Sequence, residues 1–214
     1  MPFLNRIVNY NVTVDPLYET AQSSIDKCTK WENFRLGGAL KKNGAFVYEE
    51  IGSKRIASML IRSAHDCRAP NTSLLLEYAK LKPDNLGNPL DAILEFTGQV
   101  AKETLQDVRT NRYVCLKALY TDEHFVRQGL ARSLLYNNEV WARYQDYDTV
   151  LALSTSRHLT SLLETSGYTL QRSEQLPKFA EMSKVNQRCG KPVVKSQAFL
   201  CVFVKRLCRF IPKL

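Results

Sequence analysis

The residue pattern best suited to chemistry is a glycine-containing loop at residues 126–132, which read Val-Arg-Gln-Gly-Leu-Ala-Arg. It follows a nearly continuous apolar run and precedes helical spacing, so the pattern predicts a strand, a short loop and a helix. Gly129 permits close approach to the main chain, and the small Ala131 lets the helix begin near the strand. The first-turn N–H groups then favour an anion such as phosphate, with Arg127 and Arg132 adding positive charge.

A second strand–helix unit follows this loop. The strand predicted at 149–153 runs into Ser154-Thr-Ser156, and the short helix predicted at 156–166 is closed by Gly167, where helices commonly end. Ser156 has the features of an N-cap residue, whose side-chain oxygen accepts a hydrogen bond from a first-turn N–H. The cap is the simpler interpretation of this hydroxyl, and it is compatible with a further role.

The elements that must position these residues form a mixed α/β order. Ile51-Gly-Ser-Lys54 separates two apolar runs and predicts a hairpin, with the glycine supplying the turn. Asn88-Pro89 predicts the start of a helix, because proline suits the first helical position. The predicted elements are, in order, strand 5–14, helix 17–30, strands 45–50 and 55–62, helix 88–108, strand 113–120, helix 131–142, strand 149–153, helix 156–166, and strands 168–171 and 196–204.

Composition is that of an ordinary globular protein and excludes global disorder. The chain has 214 residues, of which 44% are hydrophobic and 24% are charged. Its formal charge of +9 invites a nucleic-acid or membrane-surface interpretation, but no motif supports either. The excess lies in residues 182–214, which carry eight basic and no acidic side chains, so the rest of the chain is nearly neutral.

Targeting and metal-binding signals are weak. The amino terminus does not resemble a secretory signal, and no apolar run is long enough to span a bilayer. The six cysteines contain no Cys-x-x-Cys pair, which argues against zinc. We therefore expect a reduced, cytoplasmic protein without a metal and without a membrane span. Its oligomeric state is not predicted.

The two strand–helix units resemble those of the GNAT acetyltransferase superfamily, most clearly over residues 112–171. The resemblance implies one domain over 1–214, with a helical insertion at about 66–110. It implies a mixed, mostly antiparallel sheet flanked by helices and splayed between two central strands, here 113–120 and 149–154. In that family the glycine loop holds the pyrophosphate of acetyl-coenzyme A, and the pantetheine arm lies between the splayed strands. The residues implied to bind the coenzyme are Leu119, Tyr120, Arg127, Gln128, Gly129, Leu130, Ala131 and Arg132.

Two positions depart from the family pattern. Val126 stands where the family loop has arginine or glutamine, which removes one side-chain contact but leaves the main-chain N–H groups. Leu163 stands where many relatives carry a tyrosine that protonates the departing thiolate. Tyr168 is interpreted as a core aromatic rather than as the missing acid. Asp122 and Glu123, just before the loop, are expected to face solvent because they would repel the coenzyme.

A narrower resemblance, carried by Lys30-Trp31-Glu32-Asn33-Phe34, is to the arylalkylamine N-acetyltransferases of insects and nematodes. It implies Glu32 as general base and Ser156 as a catalytic serine, with Thr155 and Thr160 as neighbours. The implied activity is acetyl transfer from acetyl-coenzyme A to a small primary amine. An alkylammonium of pKa about 10.4 must lose a proton before it attacks, and a carboxylate is a suitable acceptor. Other interpretations stay open. Glu32 is also consistent with an exposed carboxylate at a helix end. The protein is also consistent with an enzyme that acetylates a protein or peptide, or with a non-catalytic sensor of acyl-coenzyme A.

Overall fold

The structure of the protein, a computed structural model, describes residues 29, 33, 36–41, 44–66, 89–176 and 199–208, and for residues 89–94 the main chain only. The first predicted strand, nearly all of the first predicted helix and most of the basic segment 182–214 lie outside the described residues. The described strands are β1 (Ala45–Glu49), β2 (Ile56–Asp66), β3 (Arg112–Thr121), β4 (Thr149–Ser154), β5 (Thr169–Gln175) and β6 (Phe199–Arg206). The described helices are α1 (Pro89–Val108), α2 (Leu130–Tyr144) and α3 (Arg157–Thr165), with a short 3-10 turn at Glu123–Phe125 and a helical stretch at 36–41.

The strands form one sheet in the order β1-β2-β3-β4-β6-β5. Among the described strands only β3 and β4 are parallel neighbours, because α2 returns the chain to the starting edge of the sheet between them. The other four neighbouring pairs are antiparallel. This confirms the predicted mixed, mostly antiparallel sheet, and the predicted hairpin is the β1–β2 pair.

The apolar core lies on both faces of the sheet, as the continuous apolar runs of β3 and β4 require. On one face α1 packs through Val100, Ala101 and Leu105 against β3, β4 and β6. On the opposite face α2 and α3 pack through a second group that includes Leu134 and Leu163. Alternate residues of β3 and β4 therefore contact helices on opposite sides, which fixes both strands in the middle of the molecule.

A buried arginine joins the β1–β2 hairpin to α2. The Arg62 guanidinium lies between the rings of Phe46, at 4.1 Å, and Trp141, at 3.8 Å. Its Nε and Nη1 atoms have no hydrogen-bond partner among the described residues, and burial lowers its pKa to about 10. With a pKa of about 10 the side chain is still charged at neutral pH, so the two rings supply the cation–π attraction that partly offsets its loss of water.

A buried ion pair joins α2, the end of α3 and β6. Glu139 on α2 is 4% exposed, and its Oε2 atom lies 2.8 Å from Lys205 Nζ. The same ammonium donates to the Ser166 carbonyl after α3 at 2.7 Å. Three elements thus depend on one lysine, and the carboxylate is buried with it.

Removing Lys205 alone should destabilise the fold far more than removing Lys205 and Glu139 together. We expect Lys205→Met to lower the free energy of unfolding by about 3–5 kcal/mol, because Glu139 stays buried without its nearest cation. Glu139→Leu combined with Lys205→Met should recover most of that loss. The control is Lys54→Met, which removes an exposed pair with Glu49 and should change stability by less than about 1 kcal/mol. Urea denaturation measures all three, and a double variant as unstable as the single one contradicts the expectation.

Candidate active site

The sheet opens between its two parallel strands. Pairing of β3 with β4 begins at Tyr113 and Thr149 and ends at Leu116 and Ala152. Both strands continue beyond that point, β3 to Thr121 and β4 to Ser154, without pairing to each other. The carboxyl ends of parallel strands lie at the same edge of a sheet, where ligands of α/β proteins commonly bind. The predicted splay between the central strands is therefore present at its predicted place.

A bulge on β3 marks the start of the opening. Ile61 of β2 pairs with Ala118 and Arg62 pairs with Leu116, so Lys117 is an extra residue on β3. A bulge bends its strand and increases its twist, which turns β3 away from β4 at the residue after their last pair. Lys117 is the one charged residue in the apolar run 113–120, but the sequence alone does not reveal the bulge.

Beyond the bulge, alternation along β3 decides which main-chain groups face the opening. The Asp122 N–H donates to the Ala57 carbonyl at 2.9 Å, so Asp122 directs its main chain toward β2. Tyr120, two residues earlier, faces the same way, and its carbonyl accepts from Ser58 Oγ at 2.7 Å. Leu119 and Thr121 therefore direct their N–H and C=O groups toward the opening. Of the two residues that the resemblance implied, Leu119 directs its main chain toward the opening and the Tyr120 carbonyl lies toward β2. Their role in coenzyme binding stays a prediction.

The glycine loop follows β3 and the 3-10 turn Glu123–Phe125, at the same edge of the sheet. Gly129 has φ +77° and precedes α2 without providing a side-chain cap, so the first-turn N–H groups lack that partner. A Cβ at Gly129 would meet nothing within 4 Å, which shows that the space above the loop is open. Arg127 is also left-handed, with φ +63°. Left-handed residues near a helix start turn N–H groups inward, so the loop fits a phosphate.

The side chains beside the loop divide into two groups. Val126, Arg127 and Gln128 are exposed, whereas Leu130 and Ala131 are half-buried at the start of α2. The exposed Arg132 donates from Nη2 to Thr165 Oγ1 at 3.1 Å, so this side chain bridges α2 and α3.

We expected both acidic residues before the loop to face solvent, and this is correct for Glu123 but wrong for Asp122. Glu123 is exposed, but Asp122 is only 5% exposed. Its Oδ1 atom accepts from the His124 N–H at 3.1 Å and lies 3.8 Å from Arg55 Nη2. The carboxylate therefore fixes the start of the loop by capping the 3-10 turn, and its charge is compensated from the β1–β2 hairpin.

The turn between β4 and α3 lies on the other side of the opening. Ser156 is the N-cap residue of α3, with φ −95° and ψ 128°, but its side chain makes no capping hydrogen bond. The N-cap interpretation is thus confirmed for the position but not for the hydroxyl. Ser154 Oγ donates to the Ser156 carbonyl at 2.9 Å, and Thr160 Oγ1 donates to Ser154 Oγ at 3.1 Å. Thr160, predicted as a neighbour of the site, is held by this contact.

Leu163, which stands at the position where many relatives carry a tyrosine, is fully buried in the core. Tyr168 is also a core residue, 4% exposed, as interpreted from the sequence. Burial, reinforced by the charge of Glu139, raises its pKa well above the usual value. Thr169 pairs with Val204, and Val204 pairs with Leu151, so Tyr168 lies toward the end of the sheet away from the opening.

Glu32, the predicted base, lies outside the described residues. Within the part of the chain that the structure describes, no group of three His, Cys, Asp or Glu side chains is arranged to hold a metal ion. The helices among the described residues include none that is long and apolar enough to cross a membrane. Two residues of the site were missed by sequence reasoning, the buried serines Ser58 and Ser154. The signal for Ser154 was a hydroxyl at the end of an apolar strand, and for Ser58 a hydroxyl between the apolar residues Ala57 and Met59.

The sheet order, the opening between β3 and β4 and the glycine loop define a GNAT acetyltransferase fold, as the resemblance implied. Arylalkylamine N-acetyltransferase 2 from Aedes aegypti has this fold, with a TM-score of 0.69 and 13% identity over 95% of this chain and 94% of that chain. A Drosophila melanogaster polyamine N-acetyltransferase that forms N-acetylagmatine superposes with a TM-score of 0.66 and 16% identity over 95% of each chain.

A third structure with this fold is the C-terminal condensation domain of Ebony, solved with beta-alanyl-dopamine. Its TM-score is 0.64, with 15% identity over 96% of this chain and 92% of that chain. The sequence itself matches no protein-family model and no curated protein. At such low identities these likenesses establish the fold.

The left-handed conformation of Gly129 gives a prediction that is independent of any ligand. Gly129→Ala should lower the free energy of unfolding by about 1–2 kcal/mol, since alanine is strained at positive φ and meets no clash there. Gly52→Ala is the matched control, because the space around Gly52 is equally open and its φ is not left-handed. Denaturant unfolding of both variants checks this. Equal losses would show that the left-handed backbone is not the cause.

Proposed function

We propose that the protein is an acetyl-coenzyme A-dependent N-acetyltransferase that acetylates a small primary amine of the arylalkylamine kind. The observation that carries the proposal is the opening between parallel β3 and β4 with the uncapped glycine loop at the same edge. The opening suits a narrow polar chain, and the loop suits a pyrophosphate. The neighbours named for arylalkylamines and for N-acetylagmatine support a small amine as acceptor.

In this proposal the chain's own residues bind, orient and remove a proton, and acetyl-coenzyme A supplies the acetyl group as a thioester. Main-chain N–H groups of the loop and of the α2 first turn hold the pyrophosphate, aided by Arg127. Leu119 and Thr121 offer main-chain groups to the arm and to the thioester carbonyl. Such preorganised donors are worth several kcal/mol where negative charge develops.

Glu32 is proposed as the general base and Ser156 as a hydroxyl beside the acceptor. A carboxylate that takes the ammonium proton lets the neutral amine attack the thioester. Ser156 suits its role because its hydroxyl is not spent on capping α3. Leu163 and Tyr168 provide no acid, which is acceptable because a thiol of pKa about 8.5 leaves as thiolate without much help.

The central experiment mixes the purified protein with acetyl-coenzyme A and a panel of amines and follows release of free thiol. We expect saturable turnover with small arylalkylamines or alkyl diamines, and calorimetric binding of acetyl-coenzyme A alone. Lack of binding would remove the acetyltransferase proposal. Binding of acetyl-coenzyme A without turnover on any amine or peptide favours an acyl-coenzyme A sensor. Val126 and Leu163, which depart from the family pattern, are the residues consistent with that function. Turnover on peptides alone favours the protein acetyltransferase.

The pH dependence of a Glu32→Gln variant tests the base. At neutral pH the amine is mostly protonated, so loss of the base should lower kcat/KM by about 10²–10⁴-fold. As pH rises toward the amine pKa of about 10.4, the substrate loses its own proton and the deficit should shrink. Glu123→Gln, an exposed glutamate beside the loop, is the control and should keep the wild-type profile. A Glu32→Gln profile parallel to wild type excludes Glu32 as the base.

A further inference from the structure

Ser154 is the last residue of β4 and stands where that strand leaves β3. It pairs with Cys201 of β6 on one side and has no pair on β3 on the other. Its side chain is 2% exposed, yet its hydroxyl makes two hydrogen bonds. It donates to the Ser156 carbonyl at 2.9 Å and accepts from Thr160 Oγ1 at 3.1 Å.

These bonds set the shape of the turn into α3. The Ser156 carbonyl accepts from both Ser154 Oγ and the Thr160 N–H, each at 2.9 Å. A serine at an N-cap ordinarily turns its hydroxyl back onto an N–H of the first turn. Here the turn is held through the Ser156 carbonyl instead, and the Ser156 hydroxyl makes no capping bond.

We propose that Ser154 is a positioning residue for the acetyl-transfer reaction, acting through Ser156. By fixing the Ser156 carbonyl, it holds the turn so that the Ser156 hydroxyl is available to the acceptor amine instead of capping α3. This inference rests on the proposed function, and it adds a residue that touches neither acceptor nor coenzyme. A purely structural buried hydroxyl would affect stability alone.

The test is a double-mutant cycle between Ser154 and Ser156. Ser154→Ala should lower kcat by about tenfold or more, the equivalent of one lost hydrogen bond, with KM for acetyl-coenzyme A unchanged. In a Ser156→Ala background the same change should have no further effect on kcat, because Ser154 acts only through Ser156. Ser154→Thr, which keeps a hydroxyl, should restore much of the rate.

Thr104→Val is the matched control, because Thr104 is equally buried and donates to the Val100 carbonyl at 2.8 Å within α1, on the other face of the sheet. It should lower stability while leaving kcat unchanged. Independent losses from Ser154→Ala and Ser156→Ala, or a kcat loss in Thr104→Val as large as in Ser154→Ala, would overturn the positioning role.

Hydrogen exchange separates failure of this inference from failure of the proposed function. In Ser154→Ala the freed Ser156 hydroxyl should cap α3, so the amides of His158 and Leu159 should exchange several-fold more slowly than in wild type. This readout needs no turnover. A wild-type protein without turnover counts against the acetyltransferase, whereas unchanged exchange in Ser154→Ala counts against Ser154.

Discussion

The structure depends on one constraint, the end of pairing between β3 and β4 after Leu116 and Ala152. Interior strands normally pair all their main-chain polar groups, because an unpaired buried group is costly. Here β3 and β4 keep their outer partners, β2 and β6, over the part where they lose each other. Strands β2 and β6 therefore hold the two walls of the opening. The main-chain groups of β3 and β4 that face each other across it can bind an extended polar ligand.

Two buried serines make this opening compatible with a close-packed core. Ser58 lies beside β3 and donates to the Tyr120 carbonyl, and Ser154 lies at the end of β4 and donates to the Ser156 carbonyl. Each also shares a hydrogen bond with a threonine hydroxyl. On both walls, a serine hydroxyl therefore adds a hydrogen bond to a main-chain carbonyl and holds it in place. The main-chain groups of Leu119 and Thr121 then face the opening, and the Ser156 hydroxyl beside it makes no capping bond.

The sequence predicted the helices and strands well, because hydrophobic periodicity and the positions of proline and glycine depend only on neighbouring residues. The hairpin, α1 from Pro89, both parallel strands and the end of α3 at Gly167 all followed from spacing, proline and glycine. The bulge at Lys117 could not be predicted, since it exists only relative to the register of β2. The burial of Asp122 was missed for the same reason, because its compensation by Arg55 comes from a hairpin far away in sequence.

The contacts of two residues in the basic carboxy-terminal segment change the interpretation of its positive charge. Lys205 is directed into the molecule, where it pairs with Glu139 and the Ser166 carbonyl, and Arg206 donates to the Val108 carbonyl at the end of α1. These two charges serve the fold, so they are not free to recruit a polyanion. The other six basic side chains of residues 182–214 lie outside the described residues, and the exposed Arg127 is a cation at the loop itself. A near-neutral body with a local basic loop suits a site that binds an anionic coenzyme and a cationic amine together, because a strongly basic surface would repel the amine.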